Sequence, residues 1–216
     1  MPQPGAFPLN YNVAMANPRI GQQITFLAEA DRLKNVLRRT LLTDSSRREN
    51  SAEHSWHLVL CAMVLAEYVA EPVDLLRVTR MLVVHDLVEI DAGDTFAYDA
   101  SGNADKLERE RAAAVRIFGL LPADVGGDLR ALWEEFEAHS TPEARFAHAV
   151  DRVQPFLQNV KTRGGTWRLY GPTREQVLER MDPVRTMLPA LWPLVSDYVE
   201  QFFARKAEPA PGLPSP

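Results

Sequence analysis

The spacing of apolar residues is helical along almost the whole chain. Between residues 24 and 41, isoleucine, leucine and valine recur at steps of three or four or their sums, which is the spacing of one helix face. The same spacing predicts helices over 51–68, 74–90, 107–118 and 129–136. We find no alternating strand pair, hairpin turn signal or internal repeat, so the pattern predicts an all-α fold.

Polar residues mark where further helices begin. Residues 140–143, Ser-Thr-Pro-Glu, combine capping hydroxyls, a first-turn proline and a glutamate three positions after the serine, a strong start signal. In the helix that follows, Pro155 predicts a kink. Thr173 with Gln176 caps another helix, and residues 191–203 form the last one.

Proline-rich ends flank this helical region. Four prolines within residues 1–20 predict an extended arm, and four within 206–216 predict a disordered tail. The remaining segment, 21–205, has the length of one domain. We therefore expect a single helical domain between two irregular ends.

Composition excludes several classes of protein. The formal net charge is −5, from 24 Lys plus Arg against 29 Asp plus Glu, which argues against nucleic-acid binding. The lone cysteine, Cys61, rules out an intramolecular disulfide and favours a reducing compartment. The longest apolar run, 58–66, is too short to span a membrane. With no secretory signal at the N-terminus, a cytoplasmic protein is predicted.

Histidines and carboxylates that suit a metal site lie in three predicted helices. His54 and His57 are close together, His85 precedes Asp86, and Asp151 lies in the helix that starts near residue 142. Imidazole and carboxylate groups together suit a divalent first-row ion, and helical bundles build such sites from several helices. The alternative is that the acidic segment 85–94 is a helix end that turns polar as it reaches solvent.

The order of these residues resembles that of a known family. His54, then His85-Asp86, then Asp151 resembles the H…HD…D motif of the HD-domain metal-dependent phosphohydrolases. Residues 48–55, Arg-Glu-Asn-Ser-Ala-Glu-His-Ser, resemble a segment of the bacterial 5'-deoxynucleotidase branch, and residues 85–94 resemble its H-D-x-x-E-x-x-x-G-D segment. The resemblance implies an HD-type helical bundle, one divalent ion (Mn, Co, Mg, Zn or Fe) and hydrolysis of a phosphate monoester.

Carried over by position, the resemblance implies a role for each residue of the site. Glu89 and Asp94 match carboxylates that act on water or substrate beside the ion. Arg38 matches an arginine that binds the substrate phosphate, but one extra residue before His54 leaves Arg39 as the alternative. The tryptophan that follows this arginine in the family is absent. The implied metal ligands are His54, His85, Asp86 and Asp151.

Other histidines and aromatic residues leave alternatives open. His57 could replace His54 as a ligand, although we favour His54 because it occupies the family position. His148 could support the site, but a surface position is favoured, and His139 lies near a helix end. We expect the following aromatic residues in the core, although the last two could cover the pocket: Trp56, Trp133, Phe96 and Tyr98.

The sequence thus predicts a metal-dependent phosphohydrolase that acts on (deoxy)nucleoside 5'-monophosphates. The alternatives are hydrolysis of a nucleoside triphosphate or a cyclic nucleotide, and a metal-stabilised helical module without activity. The expected partner is a small nucleotide, not nucleic acid or membrane. The resemblance also implies a homodimer, for which the last helix, with Leu191, Trp192, Tyr198 and Phe202, is a candidate surface. Alternatively, these side chains cover the core of the monomer.

Overall fold

A computed structural model describes residues 17–99 and 102–205. The tail at 206–216 and most of the predicted arm lie outside the described residues, whereas residues 18–20 form the first turn of a helix. The helices are α1 (Pro18–Ala30), α2 (Ser51–Leu65), α3 (Leu75–Val84), α4 (Glu89–Ala92), α5 (Lys106–Phe118), α6 (Ala123–Ala138), α7 (Pro142–Lys161), α8 (Gly165–Tyr170), α9 (Arg174–Arg180), α10 (Asp182–Met187) and α11 (Trp192–Ala204). Short 3-10 turns cover Asp31–Asn35, Ala66–Tyr68 and Pro189–Leu191. Two strands, β1 (Leu37–Leu41) and β2 (Arg48–Asn50), complete the described elements.

The all-α prediction is confirmed in its main point, because helices dominate the fold. The core lies where α2, α3 and α7 pack on one another. Side chains from each of these helices, such as Leu58, Leu82 and Phe146, are fully buried. Burial of this apolar surface is the main force that holds the bundle together. The three helices that build the core also carry the site described below.

The prediction of one continuous helix over residues 24–41 is wrong. Helix α1 ends at Ala30, and after a 3-10 turn the chain forms β1, which pairs antiparallel with β2. The turn between the strands is set by Asp44, whose carboxylate accepts a hydrogen bond from the Ser46 backbone N–H at 3.0 Å. Such a bond favours a turn over a helix. As a result, Arg38 points into the molecule and Arg39 lies exposed on the outside.

The helix predicted over residues 74–90 is also divided. Helix α3 ends at Val84, and tight turns carry the chain to α4, with a hydrogen bond of 2.9 Å from the Glu89 backbone N–H to the Asp86 carbonyl. Gly93 ends α4 with φ of 75°, a conformation that costs glycine little. The predicted stop at Gly93 is therefore correct. The break at residue 85 places His85 and Asp86 at the inner end of α3.

Several helix boundaries also differ from the prediction. Helix α6 is longer than expected, and the residue that caps α7 is Thr141 rather than Ser140. Helix α7 continues through Pro155 to Lys161. The capping box of Thr173 and Gln176 is confirmed. None of the helices in the described part of the chain combines the length and apolar character that crossing a membrane requires.

The last helix packs on the rest of the bundle through one face. Val195 and Val199 are buried in the core, and the Tyr198 hydroxyl donates a hydrogen bond of 3.3 Å to the Asn159 carbonyl at the end of α7. This face of α11 therefore packs within the monomer.

Trp133 is buried as predicted, but the prediction for Trp56 is wrong, because 67% of that residue is exposed.

Candidate metal centre and adjoining pocket

Three buried side chains converge in the centre of the bundle. His54 comes from the first turn of α2, His85 from the end of α3 and Asp151 from the middle of α7. One ligand atom from each lies within 4.8 Å of the others, so this group could hold a metal ion. The closest pair is His54 Nε2 and Asp151 Oδ1, at 2.9 Å. The expectation of a metal-binding group in a helical bundle is therefore confirmed.

Hydrogen bonds on the far side of each imidazole fix the direction of the histidines. His54 Nδ1 lies 3.0 Å from Gln154 Oε1, and His85 Nδ1 donates to the Leu82 carbonyl at 2.8 Å. Gln154 is itself held, because its amide donates to Glu49 at 2.6 Å. Outer contacts of this kind set the tautomer and ring orientation of metal-binding histidines. Both Nε2 atoms are consequently left facing the group.

Asp86 adjoins this group and connects it to β1. Its Oδ1 lies 3.0 Å from His85 Nε2, and its Oδ2 lies 3.9 Å from His54 Nε2. The same Oδ2 accepts a hydrogen bond from Arg38 Nη1 at 2.9 Å. The structure thus brings together the four residues that the resemblance implies as ligands. His57 does not join them, since its Nδ1 faces Gln154.

Two further carboxylates, the buried Glu89 and the half-buried Asp94, line the same chamber. Ser51 Oγ donates to Glu89 at 2.6 Å, and Asp94 lies 3.4 Å from Arg38 Nη1. Burial, together with the charge of Asp86, raises the pKa of Glu89 well above its usual range. Burial also raises the pKa of Asp94, although the Arg38 charge opposes that rise. Carboxyls with raised pKa values suit proton transfer near neutral pH.

The charges of the chamber fit a bound cation. Burial alone would lower the pKa of His85, but Asp86 and Asp151 outweigh it and raise that pKa to about 9. The chamber therefore attracts positive charge. His85 Nε2 is buried, and Asp86 Oδ1 lies 3.0 Å from it without the geometry of a hydrogen bond. Nitrogen and oxygen donors of this kind suit a divalent first-row ion.

A pocket adjoins the acidic chamber and shares several lining residues with it. Its lining includes four aromatic side chains, Phe96, Tyr98, Phe156 and Trp167. Phe96 packs against Tyr98 and Tyr170, with ring centroids 5.4 and 4.6 Å apart. Phe96 and Tyr98 thus take the position that covers the pocket, rather than one in the core.

Comparison with known proteins identifies the family. Residues 30–192 match the HD domain family model. The chain belongs to the HD domain family. It is 51% identical to a predicted metal-dependent phosphohydrolase from Magnetospirillum magnetotacticum MS-1, over 87% of this chain and 94% of that one, with a TM-score of 0.82. A Pyrococcus furiosus protein, 21% identical with a TM-score of 0.58 over 80% of this chain and 98% of that one, shares the fold.

Curated relatives of this HD domain are named 5'-deoxynucleotidase HDDC2. The human relative is 32% identical over 62% of this chain, and the Dictyostelium discoideum relative is 29% identical over 51%. The match spans 65% of the length of the human relative and 60% of the other.

His148 differs from the prediction, because it is buried rather than on the surface. Its ring stacks on Phe136 at 4.2 Å and meets His139 at 3.4 Å between centroids. Burial and the nearby Arg152 charge lower the pKa of His148 to about 2, so it stays neutral. His139 and His148 line the chamber of this HD domain but stand outside the three-residue group.

Sequence reasoning missed several residues that shape the site. Gln154 follows Asp151 by three positions, a spacing that places both on one helix face, so this signal was available. Glu49 lies within the segment 48–55 that carries the resemblance, and it was given no role. No local pattern pointed to Arg152 or Arg180, which line both the chamber and the pocket.

Proposed function

We propose that this HD domain is a divalent-metal-dependent phosphohydrolase that releases phosphate from (deoxy)nucleoside 5'-monophosphates. The observation that carries the proposal is the position of His54, His85 and Asp151. These buried residues lie close together, and Asp151 also lines the pocket that contains the aromatic side chains. The names of the relatives, a metal-dependent phosphohydrolase and 5'-deoxynucleotidases, support the same activity.

The chemistry of a phosphate monoester explains why such a site is needed. The dianion repels hydroxide, and its uncatalysed hydrolysis is among the slowest known reactions. When bound, a divalent ion supplies charge neutralisation and activation of water. His54, His85, Asp86 and Asp151 would hold it. Two carboxylates would balance the charge of a divalent ion and two imidazoles would add none, so a further carboxylate ligand would make the site anionic. Glu89 is instead bonded to Ser51.

Glu89 is our choice for the group that accepts the proton of the attacking water. It is buried, it does not belong to the three-residue group, and its pKa is raised. Asp94 lies where the chamber meets the pocket. From there it would protonate the leaving oxygen or hold the sugar hydroxyl, and both roles stay open. Arg38 holds Asp86 and Asp94 in place through its guanidinium.

The pocket supports a nucleoside as the leaving group. A base has two flat apolar faces, and aromatic side chains bind such faces by stacking. Phe96, Tyr98 and Trp167 provide aromatic surface in the lining of the pocket. The family tryptophan expected after the phosphate-binding arginine is absent here. We therefore make no choice between deoxyribose and ribose.

A nucleotide panel tests this proposal. The purified protein is stripped with a chelator and reloaded separately with Mn, Co, Mg, Zn or Fe, and phosphate release from nucleoside 5'-monophosphates is measured. We expect orthophosphate with at least one metal and none after chelation. Pyrophosphate from a triphosphate, or opening of a cyclic nucleotide, would indicate the alternative activities. If no metal supports release from any nucleotide, the protein is the metal-stabilised module without activity.

The homodimer and the cytoplasmic location stay predictions. The apolar face of α11 that includes Val195 and Val199 is used inside the monomer. A dimer interface on this helix would therefore have to use other side chains, such as the exposed Leu194. Light scattering of the purified protein measures the oligomeric state directly.

A further inference from the structure

A second cleft lies between the last helix and the segment that joins α8 to α9. It is lined by Trp167 of α8, by Phe202 and Phe203 of α11 and by residues 171–175. Its volume is about 660 Å³, which is in the range of ligand-binding clefts. The metal group contributes none of the described residues that line it. The cleft is therefore separate from the proposed active site, although Trp167 lines both the cleft and the pocket.

The aromatic rings of the cleft are held in place by their neighbours. The centroid of Trp167 lies 5.2 Å from that of Phe202 and 6.3 Å from that of Phe203. Phe202 packs so closely on Gly164 that a β-carbon at that position would overlap the ring, and Arg168 lies over the same ring at 5.3 Å. Both phenylalanines nevertheless stay half-buried. The cleft thus presents preformed aromatic surface, which a ligand can bind without the cost of ordering it.

Basic side chains border this aromatic surface. The charged residues that line the cleft are three arginines and one glutamate: Arg168, Arg174, Arg205 and Glu175. Arg174 is offset by Glu200 at 2.8 Å and by Glu175 at 3.3 Å. Arg168 and Arg205 therefore give the cleft an excess of positive charge. An apolar segment that carries a negative charge would complement it.

The chain leaves the described part of the structure at this cleft. Helix α11 ends at Ala204, and Arg205, the last described residue, lines the cleft. Residues 206–216 follow, with the sequence Lys-Ala-Glu-Pro-Ala-Pro-Gly-Leu-Pro-Ser-Pro. Because this segment starts beside the aromatic rings, it needs no long linker to reach them.

The sequence of residues 206–216 suits an aromatic cleft. Pro211 and Pro214 have the spacing Pro-x-x-Pro, and Glu208 is the acidic residue of the segment. A polyproline II helix has three residues per turn, so these three side chains would share one face of it. Segments with this spacing bind grooves with aromatic linings, because proline already restricts the backbone and little entropy is lost. The same face would bring a negative charge to the arginines of the cleft.

We propose that this cleft is the docking site of the chain's own residues 206–216. Pro211 and Pro214 pack on the aromatic rings, and Glu208 faces Arg168. The docked segment contacts Trp167, which also lines the pocket, and so supports one wall of that pocket from within the same chain. The inference does not depend on the proposed activity, and its tests do not require turnover.

Fluorine NMR of the full chain labelled with 5-fluorotryptophan tests this contact. The chain has four tryptophans, and loss of one signal in Trp167→Phe assigns that residue. Pro211→Ala with Pro214→Ala removes both prolines of the docking face. The matched control, Pro209→Ala with Pro216→Ala, removes two prolines outside that face. We expect the Trp167 signal to shift by more than its linewidth in the first double variant and to keep its wild-type position in the control.

Tryptic cleavage after Lys206 gives a second readout of the same contact. A docked segment protects the bond between Lys206 and Ala207, because cleavage follows the population of the undocked form. Mass spectrometry of the released peptide 207–216 measures the rate. We expect cleavage to be about threefold or more faster in Pro211→Ala with Pro214→Ala than in the wild type. The control double variant should be cleaved at the wild-type rate.

Three outcomes would overturn the proposal. If the Trp167 signal and the cleavage rate are both unchanged in Pro211→Ala with Pro214→Ala, the segment does not dock in the cleft. Equal changes in the control double variant would mean that proline content, rather than the docking face, is responsible. A wild-type Trp167 signal that shifts on dilution would assign the cleft to the segment of a second copy, whereas docking within one chain predicts a signal independent of protein concentration.

Discussion

The two sides of the pocket use their arginines in opposite ways. On the β1 side, Arg38 is enclosed by Glu49, Asp86 and Asp94. On the side formed by α7 and α9, Arg180 has no ion-pair partner in the described part of the chain. Both guanidinium groups line the same pocket. They differ only in whether the protein itself neutralises them.

This difference separates charge that holds the site together from charge that is available to a ligand. Buried carboxylates without a counterion would repel one another, and Arg38 reduces that repulsion inside the folded protein. A cation without a carboxylate gains its partner only when an anion binds. We therefore expect the β1 side to contribute to stability, whereas the charge of Arg180 is not offset by an ion pair in the described part of the chain.

The largest effect is expected when Glu89, the proposed proton acceptor, is replaced. Glu89→Gln keeps the shape of the side chain but cannot take a proton, so kcat should fall about 10²-fold or more. Metal content, measured by elemental analysis, and the affinity for phosphate should stay near the wild-type values. The control is Asp91→Asn on the same helix, which pairs with Arg116 outside the pocket and should keep full turnover. Wild-type turnover in Glu89→Gln would remove this residue from the mechanism.

A second variant tests whether Arg38 serves stability. Arg38→Met leaves the surrounding carboxylates without their cation, and removal of one partner from a buried ion pair typically costs about 3–5 kcal/mol. Urea unfolding of the metal-free protein measures this free energy of unfolding. Arg180→Gln is the matched comparison, since it should cost nothing by the same measurement. Equal losses in both variants would mean that the two sides of the pocket do not differ as we describe.

The sequence was sufficient for the part of the site that depends on short segments. His54 and Asp151 lie in helices with clear apolar spacing or a clear cap, and His85 with Asp86 directly follows α3. That they form one metal site was implied by the resemblance to the H…HD…D motif rather than by the spacing. Glu89 and Asp94 follow within nine residues of His85, so the chain itself keeps them close. Local spacing carries this information directly.

The sheet was not predictable from the same pattern. From Leu37 to Leu41, the side chains do not alternate regularly between exposed and buried, since Thr40 and Leu41 are both buried. The pairing with β2 is also irregular in register. A short strand of this kind lacks the period of two on which strand prediction depends. Its apolar residues therefore continued the spacing of α1 and suggested one long helix.

The side of the pocket formed by α7 and α9 could not be predicted from local sequence patterns, for a different reason. Arg180 lies 29 positions after Asp151 and reaches the chamber only because α7, α9 and α10 pack together. Its neighbours in sequence are ordinary helix residues. It combines a half-buried place in the wall of the pocket with the absence of an ion-pair partner among the described residues, and this combination appears only once the chain is folded.

The smallest effect is expected from a residue that contacts a metal-binding histidine but is not itself a ligand. Gln154→Leu removes the amide that lies 3.0 Å from His54 Nδ1, so the imidazole loses its orientation while His54, His85 and Asp151 all remain. Loss of such an outer partner typically costs 10–100-fold in metal affinity. Titration of the stripped protein with Zn or Mn in competition with a chelator measures this affinity.

Gln158→Leu, one turn further along α7, makes the same substitution at a buried amide whose Oε1 has no partner in the described residues. Gln158→Leu should therefore bind metal as the wild type does, and equal losses in the two variants would mean that α7 packing, rather than the bond to His54, supports the site.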